Sequence, residues 1–163
     1  MPIYEHILLA TEGRVIPPRA VDIAGNMAGS SVHVVSIARI YGVAFGLQTP
    51  GLMPNKQEWQ QQRELVAKAV KALRRRGLEA DGNVIGTRKA TKTILAAAVA
   101  MHCEAIVMAA DRPRNRFLAD FMWTQEPYRV GRRARLPVYL VTDEEIIEAQ
   151  QARRALRSLL GKG

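Results

Sequence analysis

The chain is poor in the residues that usually announce a chemistry. Its single cysteine, Cys103, excludes an internal disulfide. Three histidines, His6, His33 and His102, do not stand at the spacing of a metal site or a catalytic triad. Cys103 and His102 are adjacent, and adjacent side chains on a helix or strand point apart, so the cysteine reads as a small buried thiol. There is no Walker sequence and no nucleophile elbow. Aromatic residues make up only 6% of the chain, and none is interleaved with basic clusters as a base-stacking platform requires. The longest apolar run, Ile94 to Met101, is too short and too alanine-rich to cross a bilayer. The opening M-P-I-Y-E-H-I-L-L-A has the pattern of a strand rather than a signal peptide. Together these absences predict a cytoplasmic protein without membrane segment, bound metal or catalytic residues.

Acidic residues are also scarce. Fifteen Asp and Glu against 24 Lys and Arg leave a formal charge of +9. The arginines are scattered over Arg74 to Arg76, Arg112 to Arg116, Arg129 to Arg135 and Arg153-Arg154, which describes solvated helix faces better than a nucleic-acid stripe. What remains is an ordinary globular composition, with 48% hydrophobic residues in 163, enough for one core.

The order of elements follows from the apolar runs. Ile3 to Thr11 reads as a strand with Ile7-Leu8-Leu9-Ala10 buried, ending in the turn Thr11-Glu12-Gly13. Pro17-Pro18 opens a helix packed through Val21, Ala24, Met27 and Ala28, with Gly29 as its stop. Val32 to Ile37 forms a second strand. Ala38 to Pro54 reads as a long irregular loop, either a contact surface or a segment pinned by its own apolar side chains. A helix then runs from a cap at Asn55 to Arg76, with Trp59, Val66, Ala69, Val70 and Leu73 inward and Gly77 closing it. Leu78 to Ile85 is more polar, as an edge strand would be. A helix from Ala90 to His102 packs through Ile94, Leu95, Ala98 and Val99. Ala105 to Ala110 lacks polar alternation, so both its faces are expected under helices. A basic loop, a short helix and the strand Val138 to Val141 follow. The alternation of strands and helices predicts a three-layer α/β fold with a doubly wound parallel sheet.

The features I-L-L-A-T-E-G, G-T-R-K-A, A-I-V-M-A-A and L-P-V-Y-L-V, in this order and spacing, resemble the universal stress protein family over roughly Ile3 to Val141. The resemblance implies a five-stranded sheet of order 3-2-1-4-5, of the adenine nucleotide alpha hydrolase-like type. It also implies a homodimer paired through the last strands. Nucleotide-binding members carry an Asp after the first strand and G-x2-G-x9-G-[ST] after the fourth. Carried onto this chain, the site comprises Thr11, Glu12 and Gly13, then Ala109, Arg112 and Arg114. The final pair falls on Met122-Trp123 counted forward, or on Thr124 and Gln125 counted back from Pro137. Every glycine of the motif is replaced, and close approach of backbone N–H groups to a phosphate chain depends on glycine. No cofactor is therefore expected at working strength, and ATP should bind more weakly than about 100 μM. Arg112, Arg114 and Arg116 are the side chains able to recover some phosphate attraction.

The reading divides the chain into a domain over 1–142 and an extension over 143–163. Thr142-Asp143-Glu144-Glu145 has the form of a capping box, and Ala149, Ala152, Leu156 and Leu159 form a stripe. A C-terminal amphipathic helix over Asp143 to Leu160 is expected, docked on its own domain, a second copy or another protein. Val138, Tyr139, Leu140 and Val141 have no apparent cover on their outer edge, which predicts a homodimer through that strand.

Overall fold

The computed structural model describes residues 2–12, 15–40, 56–110, 126–142 and 146–148. Five strands run parallel: β1 (Tyr4–Thr11), β2 (Ala28–Arg39), β3 (Glu79–Thr87), β4 (Ala105–Ala109) and β5 (Val138–Val141). Their order is β3-β2-β1-β4-β5, as expected, and a sixth strand, β6 (Ile146–Glu148), is added antiparallel to β5. The helices are α1 (Pro18–Met27), α2 (Lys56–Arg75), α3 (Ala90–Ala100) and α4 (Glu126–Arg133).

Period-two alternation in the apolar centres of the inner strands gives the sheet two buried faces. Ile7, Leu9, Val32, Val34 and Val107 join Ala24, Val66, Val70 and Leu73 in a core beneath α1 and α2. Leu8, Ala10, Val35, Ile106 and Met108 join Ile94, Ala98 and Val130 in a second core beneath α3 and α4. At roughly 1.5–3 kcal/mol for each large side chain removed from water, these two layers dominate the stability.

Two glycines set how closely α2 lies on β3. A Cβ at Gly82 would meet the Val34 carbonyl oxygen at 2.9 Å and Val70 Cγ2 at 3.1 Å, with Val66 Cγ1 closer still. A Cβ at Gly86 would meet the Trp59 ring at 3.0 Å. They stand four residues apart on one face of β3, opposite residues two turns apart on α2, so the helix settles into the hollow they leave. Gly77 ends α2 with φ 83°, the left-handed conformation glycine adopts most cheaply.

Four local expectations are corrected. α1 does not stop at Gly29: it passes straight into β2 through Ala28, whose φ −84° and ψ 133° are already extended. Val99 is 73% exposed and lies outside the α3 core stripe, since Ala90, Ile94 and Ala98 already span the buried face. The expected helix from Asp143 onward is replaced over Ile146–Glu148 by β6. Local helix signals lose there to the unpaired backbone of β5, which two β-branched isoleucines suit. Residues 143–145 and 149–163, with the rest of the expected helix, lie outside the described residues. The outer edge of β5 is therefore covered, through the pairs Tyr139↔Glu148, Leu140↔Ile147 and Val141↔Ile146. Val138, Tyr139, Leu140 and Val141 are buried within their own domain, so this edge is not open for pairing with a second copy.

Candidate functional site

The layering creates a crevice where the sheet changes winding direction. β1 hands the chain to α1 on one face, whereas β4 is followed by α4 on the other, and these two strands are neighbours. Connections leaving adjacent strands in opposite directions part at the C-terminal edge, where open α/β sheets hold ligands. Thr11 ends β1 and is 3% exposed, and Glu12 follows half-buried. Ala109 ends β4 and is half-buried beside Val141, while the Ala110 N–H donates to the Val141 carbonyl at 2.9 Å. Thr142, also buried, completes this rim. Thr11, Glu12 and Ala109 thus come together at one edge of the sheet. Gly13, Arg112, Arg114, Thr124 and Gln125 lie outside the described residues.

The clearest polar feature at this edge involves a residue with no assigned role in the sequence reading. Glu126, the first residue of α4, is 5% exposed. Its Oε1 accepts the Thr91 N–H at 2.8 Å and also the Thr91 hydroxyl, while Oε2 lies 3.5 Å from an Arg129 guanidinium nitrogen. α3 begins after Lys89, which makes no side-chain cap bond. Glu126 therefore supplies from α4 the acceptor that α3 lacks, and the positive ends of both helix dipoles favour the carboxylate there. A Glu in a first turn reads in sequence as support for its own helix. Only the packing of α3 against α4 reveals the second recipient. Thr87 closes the neighbouring turn, its Oγ1 accepting from the Lys89 N–H and the Thr93 hydroxyl, both at 3.0 Å.

Among the described residues, the cysteine and histidines are either buried or remote from the crevice. Desolvation by burial, with Asp81 and Glu104 adding to it, pushes the Cys103 thiol up to about 11, so at neutral pH it is an inert core sulfur. His6 Nδ1 lies 2.8 Å from the buried Ser31 Oγ, and His33 pairs with Asp81. Both pairs sit toward the N-terminal ends of their strands, away from the crevice. Tyr4 and Tyr139 share a buried 2.7 Å hydrogen bond between β1 and β5, and desolvation raises both phenols above their ordinary value. Among the described residues no group of three His, Cys, Asp or Glu is placed to hold a metal, and no helix is long and apolar enough to cross a membrane.

Residues 3–142 match the model of the universal stress protein family. No curated protein sequence matches. Among solved structures, the Archaeoglobus fulgidus universal stress protein in complex with dAMP superposes with a TM-score of 0.60 at 19% identity, over 85% of this chain and 98% of that one. A universal stress protein family member from Burkholderia pseudomallei gives 0.61 at 21% identity, over 85% and 96%. A universal stress protein in complex with cAMP gives 0.58 at 14%, over 85% and 97%.

Proposed function

The chain belongs to the universal stress protein family, and from that premise we propose that it is a non-catalytic regulatory binding module whose ligand crevice lies at the C-terminal edge of β1 and β4. The observation that carries this reading is the meeting of Thr11, Glu12 and Ala109 at the winding reversal. Two similar structures hold dAMP and cAMP, which supports an adenine nucleotide as the class of ligand to test first. Triphosphate binding is weak in this proposal. Ala109 and Arg112 replace glycines where backbone N–H groups would approach phosphates, and Glu12 carries its carboxylate one methylene further than Asp.

Amide spectra during titration with dAMP test the placement. Shifts concentrated at Thr11, Glu12, Ala109 and Ala110 are expected, and saturating shifts confined to other surfaces would reject the crevice. A second reading, a competent nucleotide binder that uses Arg112 and Arg114 as phosphate ligands, draws support from the same two neighbours. It requires affinity that collapses when both arginines become Ala. Pairing of two copies through the bare edge of β5 is not proposed, because β6 occupies that edge.

A further inference from the structure

Among the described residues the opposite edge of the sheet carries no further strand. β3 is its outermost strand there, nine residues long, without Lys or Pro among E-A-D-G-N-V-I-G-T to discourage pairing. Its backbone groups divide into two sets. The Thr87 carbonyl accepts the Ile40 N–H at 3.1 Å on the β2 side. The Ala80 carbonyl instead accepts Arg74 Nε at 2.8 Å from α2. N–H and C=O directions alternate along a strand, so odd-numbered residues face β2 and even-numbered residues face outward. Gly82, Val84 and Gly86 therefore present their N–H and C=O groups to this outer edge.

α2 forms one wall beside that edge. Arg63, Ala67, Val70 and Arg74 recur at helical spacing along it, and an open groove of about 540 Å³ lies between this stripe and Asp81–Val84. Its middle is apolar, formed by Val66, Ala67 and Val70, and an exposed arginine stands at each end. Arg74 uses Nε on Ala80 and has two further guanidinium nitrogens with which to meet a carboxylate. Asp81, the one acid among the described residues lining the groove, already pairs with His33 on the far face of β3.

We propose that this groove binds an extended acidic peptide segment as an additional strand on β3. Main-chain pairing with Gly82, Val84 and Gly86 supplies the docking, and the two arginines select carboxylates. The spacing sets a register. Arg63 and Arg74 are separated along α2 by about 16.5 Å at 1.5 Å per residue, the length of roughly five strand residues. Carboxylates four residues apart on one face of the peptide, about 13 Å, fall between the two long side chains, with an apolar residue midway over Val66 and Val70.

The probe is a blocked, fluorescein-labelled heptapeptide, Thr-Glu-Thr-Val-Thr-Glu-Thr, titrated against the full chain by fluorescence anisotropy at low salt. Saturable binding is expected, weakened at least fivefold by Arg63→Glu and at least tenfold by Val84→Pro. The proline removes one outward N–H and no bond to β2, so the sheet survives it, as edge strands tolerate proline. Circular dichroism verifies that the variant is folded. Arg63→Glu, a surface change on α2, tests the charge term independently of the backbone. The same peptide with Lys in place of Glu should not bind. Absence of binding by the Glu peptide overturns the proposal, as does equal binding by the Lys peptide or undiminished binding to both variants. Concentration-dependent dimerisation abolished by Val84→Pro, with no peptide affinity, would assign the edge to a second copy instead.

Discussion

Gly82→Ala measures how tightly α2 is seated on the sheet. The added Cβ would stand 2.9 Å from the Val34 carbonyl oxygen and 3.1 Å from Val70 Cγ2, with Val66 Cγ1 nearer. The first of these atoms is backbone in a central strand, so it cannot swing aside, and either β3 or α2 has to move. Overpacking of this kind costs about 1–3 kcal/mol. Replacing glycine by alanine restores about 0.4–1 kcal/mol by restricting the unfolded chain. The net expectation is a loss of about 1–2 kcal/mol, a fall in Tm of roughly 3–6 °C for a chain of this size. Urea denaturation followed by circular dichroism gives the free energy directly. Combining the change with Val66→Ala removes the nearest obstacle, so the double variant should be less damaged than the two single losses summed, by about 1 kcal/mol. Gly86→Ala is a milder control, since the atoms nearest its Cβ would be side-chain ends of Trp59 and Ile40 rather than backbone. A Gly82→Ala protein as stable as the parent would refute the proposed seating of α2.

Three further outcomes follow from the same structure. Glu126→Ala leaves the Thr91 N–H without its carboxylate at a buried helix start and should cost about 1–3 kcal/mol in urea unfolding, with Glu126→Gln recovering part of the loss. Cys103 holds its proton in the fold to about 11 against an ordinary 9.0, so the native state binds more protons in that window and stability falls as pH rises through it. The raised Tyr4 and Tyr139 phenols act in the same direction above their ordinary value, and Cys103→Ala should flatten the lower part of the fall. At pH 8 about one thiol in a thousand is ionised, so a disulfide reagent should modify it far more slowly in the native protein than in urea. Truncation after Thr142 removes β6 and bares the outer edge of β5, so light scattering should show more self-association than in the full chain at equal concentration.

The parallel core was legible because its strands carry continuous apolar runs. Ile7 to Ala10 and Ala105 to Met108 had no alternative but burial on both faces, β2 buries Val32, Val34 and Val35 around the half-buried His33, and their place between crossover helices follows from handedness. β3 announced itself as an edge by its polarity. The far edge was misread because capping-box chemistry in Thr142 to Glu145 is local, while the demand of β5 for a hydrogen-bonding neighbour is tertiary and outweighs it over Ile146–Glu148. At the crevice, Thr11, Glu12 and Ala109 were singled out by the family resemblance, and Thr11 and Ala109 are the last residues of β1 and β4. The work of Glu126 was hidden because its main recipient, Thr91, is 35 residues away and meets it only when α3 and α4 pack together.

Calorimetric titration of the full chain with Mg-ATP at physiological salt tests the account of the crevice most directly. In the proposed site Ala109 and Arg112 stand where glycines would let backbone N–H groups approach a phosphate chain, and Glu12 carries a side chain one methylene longer than Asp. The predicted dissociation constant is weaker than about 100 μM, less than roughly 5.5 kcal/mol of binding free energy. A low-micromolar constant, abolished when Arg112 and Arg114 are both replaced by Ala, would contradict that account and establish an arginine-built nucleotide site in its place.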